Sequence, residues 1–453
     1  MSSHEEISQT KISHQAAWVV GCRIVGIACT LASNVLVAWL LDPTGVGVFL
    51  LVTSVLAFGC LLALSGLSEA GLRFVSEQLG LQQDIQAGNY LKTSLYWAIG
   101  TSLISTGLVV VFLILFQRFS DHQEITPIAI FLVGLGVIVL AWQQLAAQLL
   151  RGMNELRSAS FYSGGQTGGP LSNLFFVVPL AFAWFYWGSM TTTQVIGLLV
   201  ASVCLTLPLA LWELSRSGRL LFASSDSPEQ YSLSNSQKRD LAGVAASLLG
   251  IQLLAFVATQ ADIWIGSWML SGDDLGFYGV AKRGQLIAIM PLQMALMTIQ
   301  GTIPRLHAQG RMQELEKRFR SAITWAAIPS LAALGLFMIF PAQVLIAIFG
   351  LEFADAAPIV VPLSIGLVVL IFLGSPGDVL SMTGNHRMVL WVNGFSAVAL
   401  IVLGLLGAYR AGPVGLAIAS SSVYAVQNWI LWWIVKKRLN IWTHAGRIGW
   451  PEK

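Results

Sequence analysis

Residues 17–68 read AWVVGCRIVGIACTLASNVLVAWLLDPTGVGVFLLVTSVLAFGCLLALSGLS. Two apolar runs flank a hairpin centred on Asp42-Pro43-Thr44-Gly45. Crossing a bilayer takes about 20 apolar residues in helical form. Helix is the practical state for such runs, because lipid offers no partner to an unpaired N–H or C=O. The first run is too long for the core of a cleavable leader, so it is expected to remain as the first span. Strand-like alternation over short segments, the mark of a membrane barrel, is absent.

The same reading extends along the chain. Apolar segments fall at 17–41, 45–68, 93–116, 127–150, 158–184, 193–212, 241–270, 280–303, 321–340, 356–380, 388–408 and 413–435. Of the 453 residues, 55% are hydrophobic and 10% charged. Soluble domains carry about 25% charged residues, so this chain lacks the polar coat that water demands. The expected fold class is an all-α membrane protein of twelve transmembrane helices.

Charge placement sets the expected orientation. With the N-terminus inside, twenty of the 25 Lys and Arg fall in cytoplasmic loops and tails. Only Arg118 and Arg410 lie outside, and Arg23, Lys282 and Arg283 are embedded. This positive-inside bias predicts both termini in the cytoplasm of a plasma (inner) membrane protein. The polar stretch 214–240 reads as a cytoplasmic linker. It separates a bundle at 17–213 from one at 241–435, with a tail at 1–16 and a basic tail at 436–453.

The two sets of six repeat each other. LDPTGVGVF (41–49) joins the first two segments, and LSGDDLGFY (270–278) joins the seventh and eighth. At an offset of 229, Gly47 matches Gly276 and Phe49 matches Tyr278. VIGLLVAS (195–202) matches VGLAIAS (414–420) near the end of each set. Six is even, so the repeats run parallel, and two such bundles facing each other would enclose a central cavity.

Several polar residues interrupt the apolar segments. An Arg or Asp at a helix centre costs about 2.5–3.5 kcal/mol on the insertion scale. Arg23, Thr30 and Asn34 share one face of the first segment. Their counterparts by the same offset are Gln252, Thr259 and Ile263, with Asp262 beside the last. Arg23 either snorkels to headgroups or lines a wet cavity. Asp262 either pairs with Lys282 or Arg283 across the hairpin, or couples transport to a proton or sodium ion. Lys282 and Arg283 sit on the outer side against the general bias, where a phosphate-bearing ligand would favour them, as would Asp262, Asp273 or Asp274. Pro170, Pro179, Pro208, Pro291, Pro329, Pro362 and Pro376 read as kinks or hinges. Asp378 reads as a helix-end residue.

RLHAQGRMQELEKRFR (305–320) spaces Met312, Leu315 and Phe319 among basic residues. It is expected to lie as a helix on the inner leaflet; residues 73–92 are a less basic counterpart. The glycines of 163–169 are expected to allow close helix packing. The four cysteines lie in apolar segments as packing residues. The six histidines show no metal spacing, and no P-loop, GxSxG or HExxH motif appears. No enzyme, metal, cofactor or nucleic-acid function is indicated.

The hairpin LDPTGVGVF with SEAGLRF (68–74), the segment GFYGVAKRGQL (276–286) and QLLRGMNELR (148–157) together resemble the multidrug/oligosaccharidyl-lipid/polysaccharide exporter superfamily. Within it the chain looks like the polysaccharide-biosynthesis flippases of the Wzx type. That resemblance implies a V-shaped bundle like the MATE exporters, with helices one, two, seven and eight lining the cavity. It implies translocation of an undecaprenyl-pyrophosphate-linked oligosaccharide, with Arg23, Thr30, Asn34, Gln252, Thr259, Lys282 and Arg283 as cavity residues. It also implies work beside glycosyltransferases and a polysaccharide polymerase. A cation-coupled multidrug exporter of the same superfamily is the alternative.

Overall fold

A computed structural model describes residues 2–119, 125–164, 168–222, 233–299 and 302–446. Apart from one bridge at Gly168, the regular elements among these residues are helical. They are α1 (Ser2–Leu40), α2 (Pro43–Leu64), α3 (Leu67–Gly80), α4 (Asp84–Phe119), α5 (Pro127–Gly152), α6 (Leu156–Tyr162), α7 (Pro170–Tyr186) and α8 (Thr192–Phe222). There follow α9 (Asn235–Met269), α10 (Gly272–Ile299), α11 (Thr302–Ala308), α12 (Met312–Ile339) and α13 (Pro341–Phe349). A 3-10 turn (Leu351–Ala356), α14 (Ala357–Leu373), α15 (Pro376–Met382) and α16 (His386–Leu439) complete the order.

Among the described residues, nine helices are long and apolar enough to cross a membrane, or ten if α10 and α11 count together. Several expected segments have a different form; 356–380, for one, is split between α14, which ends at Leu373, and α15, which starts at Pro376. Segment 158–184 is not continuous: α6 ends at Tyr162 and α7 starts at Pro170. Segments 388–408 and 413–435 both lie within α16, whose 54 residues break at Ala411 and Gly412 just before Pro413. At that break Gly412 takes φ 56°, ψ −139°, a region that side chains disfavour. The expected linker 214–240 is shorter than drawn, because α8 runs to Phe222 and α9 begins at Asn235. Its residues 223–232 lie outside the described residues, as do 447–453 of the basic tail.

The expected helix over 305–320 also takes another form. Residues 305–308 close the short α11, and 312–320 are the first turns of α12, continuous with the span. Leu315 and Phe319 are buried in the protein core instead of meeting lipid. A basic amphipathic pattern is the same whether its apolar face meets lipid or protein.

The chain divides into two compact units, Met1–Leu41 with Leu51–Leu253, and Asp42–Leu50 with Leu254–Lys453. In the first, α1 packs on α6 and α7, α5 packs on α8, and α3 packs on α4 and α5. Hydroxyls join helices where lipid supplies no drive for association. Ser105 donates to the Gly59 carbonyl at 2.6 Å, and Thr101 to that of Ala63 at 2.6 Å. Start signals are local: Thr126 caps α5 by accepting from the Ala129 N–H at 3.2 Å, with Pro127 at the first helical position.

In the second unit, α10, α12, α14, α15 and α16 share one core that includes Leu292, Phe319, Ile371, Leu380 and Leu431. A terminal strap closes its end. Thr443 donates to the Leu373 carbonyl at 2.8 Å and the Ala445 N–H to that of Phe372 at 2.8 Å. These are orphan carbonyls at the C-terminus of α14. Arg320 donates to the His444 carbonyl at 3.1 Å and reaches Glu316 at 3.3 Å. The His444 ring stacks on Phe372, and Lys436 lies over Trp442 at 4.2 Å.

Burial, with the Arg320 guanidinium as the next cause, holds His444 below its ordinary 6.5, against a smaller opposing pull from Glu316. A neutral ring in the fold faces a chargeable one in the unfolded chain. The strap's contribution should therefore be full above pH 6.5 and decline as pH falls through the window below it. Thermal melts from neutral to mildly acid pH should show that decline, and His444→Phe, which keeps a stacking ring, should reduce it. An identical slope in the variant would show that His444 does not couple the strap to pH.

Candidate functional site

The hairpin between α9 and α10 brings one acid and one base together. Asp262 is 4% exposed. The Lys282 ammonium donates to its Oδ1 at 2.8 Å and Oδ2 at 2.7 Å, and to the Thr259 carbonyl at 3.0 Å. Tyr278 donates its hydroxyl to Asp262 Oδ2 at 2.7 Å and lies 3.2 Å from the Ser420 hydroxyl. The Ile263 N–H adds a bond to Oδ1 at 2.9 Å. The carboxylate is thus saturated by an ammonium, a phenol and an amide, which is what a buried charge requires. Tyr278 and Lys282 are four residues apart on one face of α10, so a single acid on α9 meets both. That i,i+4 spacing is the signal by which sequence could have singled out Tyr278.

Arg283 takes a different environment from Lys282. It is half-buried, and its guanidinium lies over the Phe49 ring at 5.6 Å. Phe49 belongs to the start of α2, whose residues 43–50 pack against 272–279 of α10. Each of these segments meets its own counterpart at the 229 offset. Thr44 hydrogen-bonds Asp273. A Cβ on Gly47 would stand 2.6 Å from the Gly272 carbonyl oxygen, and one on Gly276 would stand 1.9 Å from that of Pro43. Glycine is required at both places by the approach of main chain to main chain. The matched glycines of the repeat are therefore the crossing point of the two helices.

In the first unit, Arg23 is exposed on α1. Thr30, one face with it, accepts from Asn173 Nδ2 at 3.1 Å and donates to the Gly26 carbonyl at 2.9 Å. Asn34 is half-buried. On α9, Gln252 is half-buried and Thr259 is exposed, its hydroxyl turned back to the Ala255 carbonyl at 2.9 Å. Asp378 accepts from Ser375 at 2.7 Å in the first turn of α15. Sequence reasoning passed over Arg151, which ends α5 and donates to Ser163 at 2.6 Å. Among the described residues, no group of three or more His, Cys, Asp or Glu is placed to hold a metal ion.

Comparison with known proteins places this architecture. A family model for polysaccharide biosynthesis proteins matches residues 21–308. A Haloferax volcanii protein named a probable low-salt glycan biosynthesis flippase, Agl15, is 22% identical over 423 residues, covering 90% of this chain and 80% of that one. An inward-facing multidrug resistance MATE family transporter of the MOP superfamily superposes with a TM-score of 0.70 at 16% identity, covering 94% of this chain and 98% of that chain. The lipid II flippase MurJ in an inward closed conformation gives 0.66 at 14% identity, over 93% and 87% of the two chains. The chain shares its fold with these transporters, and with well over half of its length matched by one family model it belongs to the polysaccharide biosynthesis protein family.

Proposed function

We propose that this protein is a flippase that moves an undecaprenyl-pyrophosphate-linked oligosaccharide across the plasma membrane for surface glycan synthesis. Transport runs by alternating access through a cationic cavity. The observation that carries the reading is a family match together with Arg23, Lys282 and Arg283 in apolar helices, where cations persist only for a partner or a ligand. The chain crosses the membrane twelve times with both termini cytoplasmic, counting α7 as a span and α16 as two. Arg23, Thr30, Asn34, Gln252, Thr259, Lys282 and Arg283 serve the glycan-lipid headgroup, and a polymerase and glycosyltransferases act before and after it.

Proteoliposomes carrying a fluorescent lipid-linked oligosaccharide test this directly. The protein should expose lumenal label to an externally added quencher. Arg23→Gln and Arg283→Gln should each slow that exposure about tenfold or more, the value of a charge-assisted hydrogen bond. Wild-type vesicles that never expose lumenal label would sink the flippase reading. Unchanged rates in both variants would remove the cationic residues from it.

A second reading is favoured by the buried carboxylate of Asp262: a cation-coupled drug exporter in which Asp262 exchanges Lys282 for a proton or sodium ion. Resistance to cationic dyes in a pump-deficient host, lost in Asp262→Asn, would support it.

A further inference from the structure

The strap that follows α16 is held by two kinds of contact. Its first part is embedded: Ile441 and Thr443 are buried. Its last part lies nearer solvent, with His444 and Ala445 half-buried and Gly446 exposed. Polar bonds hold this last part down. The Ala445 N–H donates to the Phe372 carbonyl at 2.8 Å, the Gly446 N–H to the Thr324 hydroxyl at 3.0 Å, and Arg320 Nε to the His444 carbonyl at 3.1 Å. Hydrogen bonds at partly exposed backbone open at lower cost than a buried core, so this end is the one that can lift. α14 has no substitute for the donor it would lose. Pro376 stands four residues after Phe372 and has no N–H to offer that carbonyl. In the turn that leads there, Gly374 and Ser375 take left-handed φ of 72° and 47°.

The His444 ring decides whether that end stays down. Arg320 Nη2 lies 3.3 Å from His444 Nε2. A guanidinium only donates, so Nε2 accepts and the ring is neutral, with its proton on Nδ1. Among the described residues Nδ1 is buried and has no partner. Around the ring, α12 presents Arg320 and Glu316, which bond each other at 3.3 Å. α14 presents Phe372 and α16 presents Trp432, both uncharged. Lys436 stands over Trp442, the indole of the strap itself. A second proton, on Nε2, would point an N–H at a guanidinium and leave both ring donors without an acceptor. Glu316 is already engaged by Arg320, so it offsets only part of the repulsion. A lifted ring finds water for both donors. We propose that residues 444–446 are a proton-operated latch, closed over the end of α14 while His444 is neutral and lifted when the ring takes a proton from solvent on Nε2. Lifting strips the Phe372 carbonyl of its donor and unties α12 from the turn after α14. The opening is local, and the helices stay folded. The latch responds to the pH of the compartment that holds the C-terminus.

Hydrogen exchange of the full chain in nanodiscs tests the latch. Mass spectrometry of the peptide over 440–446, corrected for the intrinsic pH dependence of exchange, follows the Ala445 and Gly446 amides. An opening that binds one proton should lower their protection by up to about tenfold per pH unit as pH falls below the ring's ordinary 6.5, and leave it constant above. Amides within α12 and α14 should keep their protection throughout. His444→Gln, which keeps an acceptor for Arg320 and does not titrate, should hold the strap's protection constant from neutral to mildly acid pH. His444→Lys sets a fixed cation beside Arg320 and should show low protection across the same range. Should the lysine variant fail to fold, wild type and His444→Gln still decide the matter. Wild-type protection that does not fall with pH, or a His444→Gln protein with the wild-type slope, overturns the latch. So does a folded His444→Lys protein as protected as wild type at neutral pH. Loss of protection in α12 and α14 together with the strap makes the change a general loosening and overturns it too.

Discussion

Lys282→Met is expected to lower the thermal midpoint of the purified protein more than any other single change at the α9–α10 hairpin. The substitution leaves Asp262, 4% exposed, with a phenol and an amide but no counter-charge. Removing one partner of a buried pair typically costs about 3–5 kcal/mol. The lower end applies, because the Lys282 side chain retains 31% exposure. Removing the charge from both partners should be milder than removing it from one. Asp262→Asn with Lys282→Met should recover more than half of the lost midpoint. A single variant that melts with the wild type, or a double variant no better than the single, would show that the pair does not hold this hairpin.

The second large effect is expected at Gly276. A Cβ there would stand 1.9 Å from the Pro43 carbonyl oxygen and 2.7 Å from its carbon, both main-chain atoms that cannot turn aside. Gly276→Ala should force α2 and α10 apart, at about 1–3 kcal/mol or more. Gly279→Ala makes an instructive contrast. Its Cβ meets Leu50 Cδ1 at 1.7 Å, the end of a side chain that can change rotamer, so the loss should be smaller. Gly335→Ala, with nothing within 4 Å, should gain up to about 1 kcal/mol from the better helix former. Thermal melts of the three variants give the order, and a Gly276→Ala protein as stable as Gly335→Ala would refute the crossing.

What sequence made legible and what it hid follow from the same physics. The crossing left a trace because close main-chain approach tolerates only glycine, so Gly47 and Gly276 stand in register across 229 residues. The stripe on α1 was legible because helical period places Arg23 and Thr30 on one face, and Thr30 does meet a polar partner, Asn173. The pairing of Asp262 was left open between Lys282 and Arg283, since both follow the same hairpin. Register on α10 decides it: Lys282 shares a face with Tyr278, and Arg283 shares one with Gly279 and turns to Phe49.

The break after Tyr162 was hidden. Glycines that let helices approach and glycines that interrupt a helix are the same residues, and apolar flanks of 158–184 read as one run. Arg151 was hidden with it, because its partner Ser163 became reachable only once the helix ended there. The strap over 440–446 has no periodicity to read. Its order comes from α14 carbonyls and Arg320, which lie far away along the chain.

The 43–50 and 272–279 segments touch so that Thr44 meets Asp273 while Gly47 meets Gly272 and Gly276 meets Pro43. This reciprocity is the signature of an isologous interface, the kind two copies of one polypeptide form about a dyad. A half-length ancestor carrying one such hairpin would already have owned the surface needed to pair with its twin. Fusion of two copies would have made that partnership permanent and left each side free to differ: Asp262, Tyr278 and Lys282 stand where the 229 offset puts Ser33, Phe49 and Thr53.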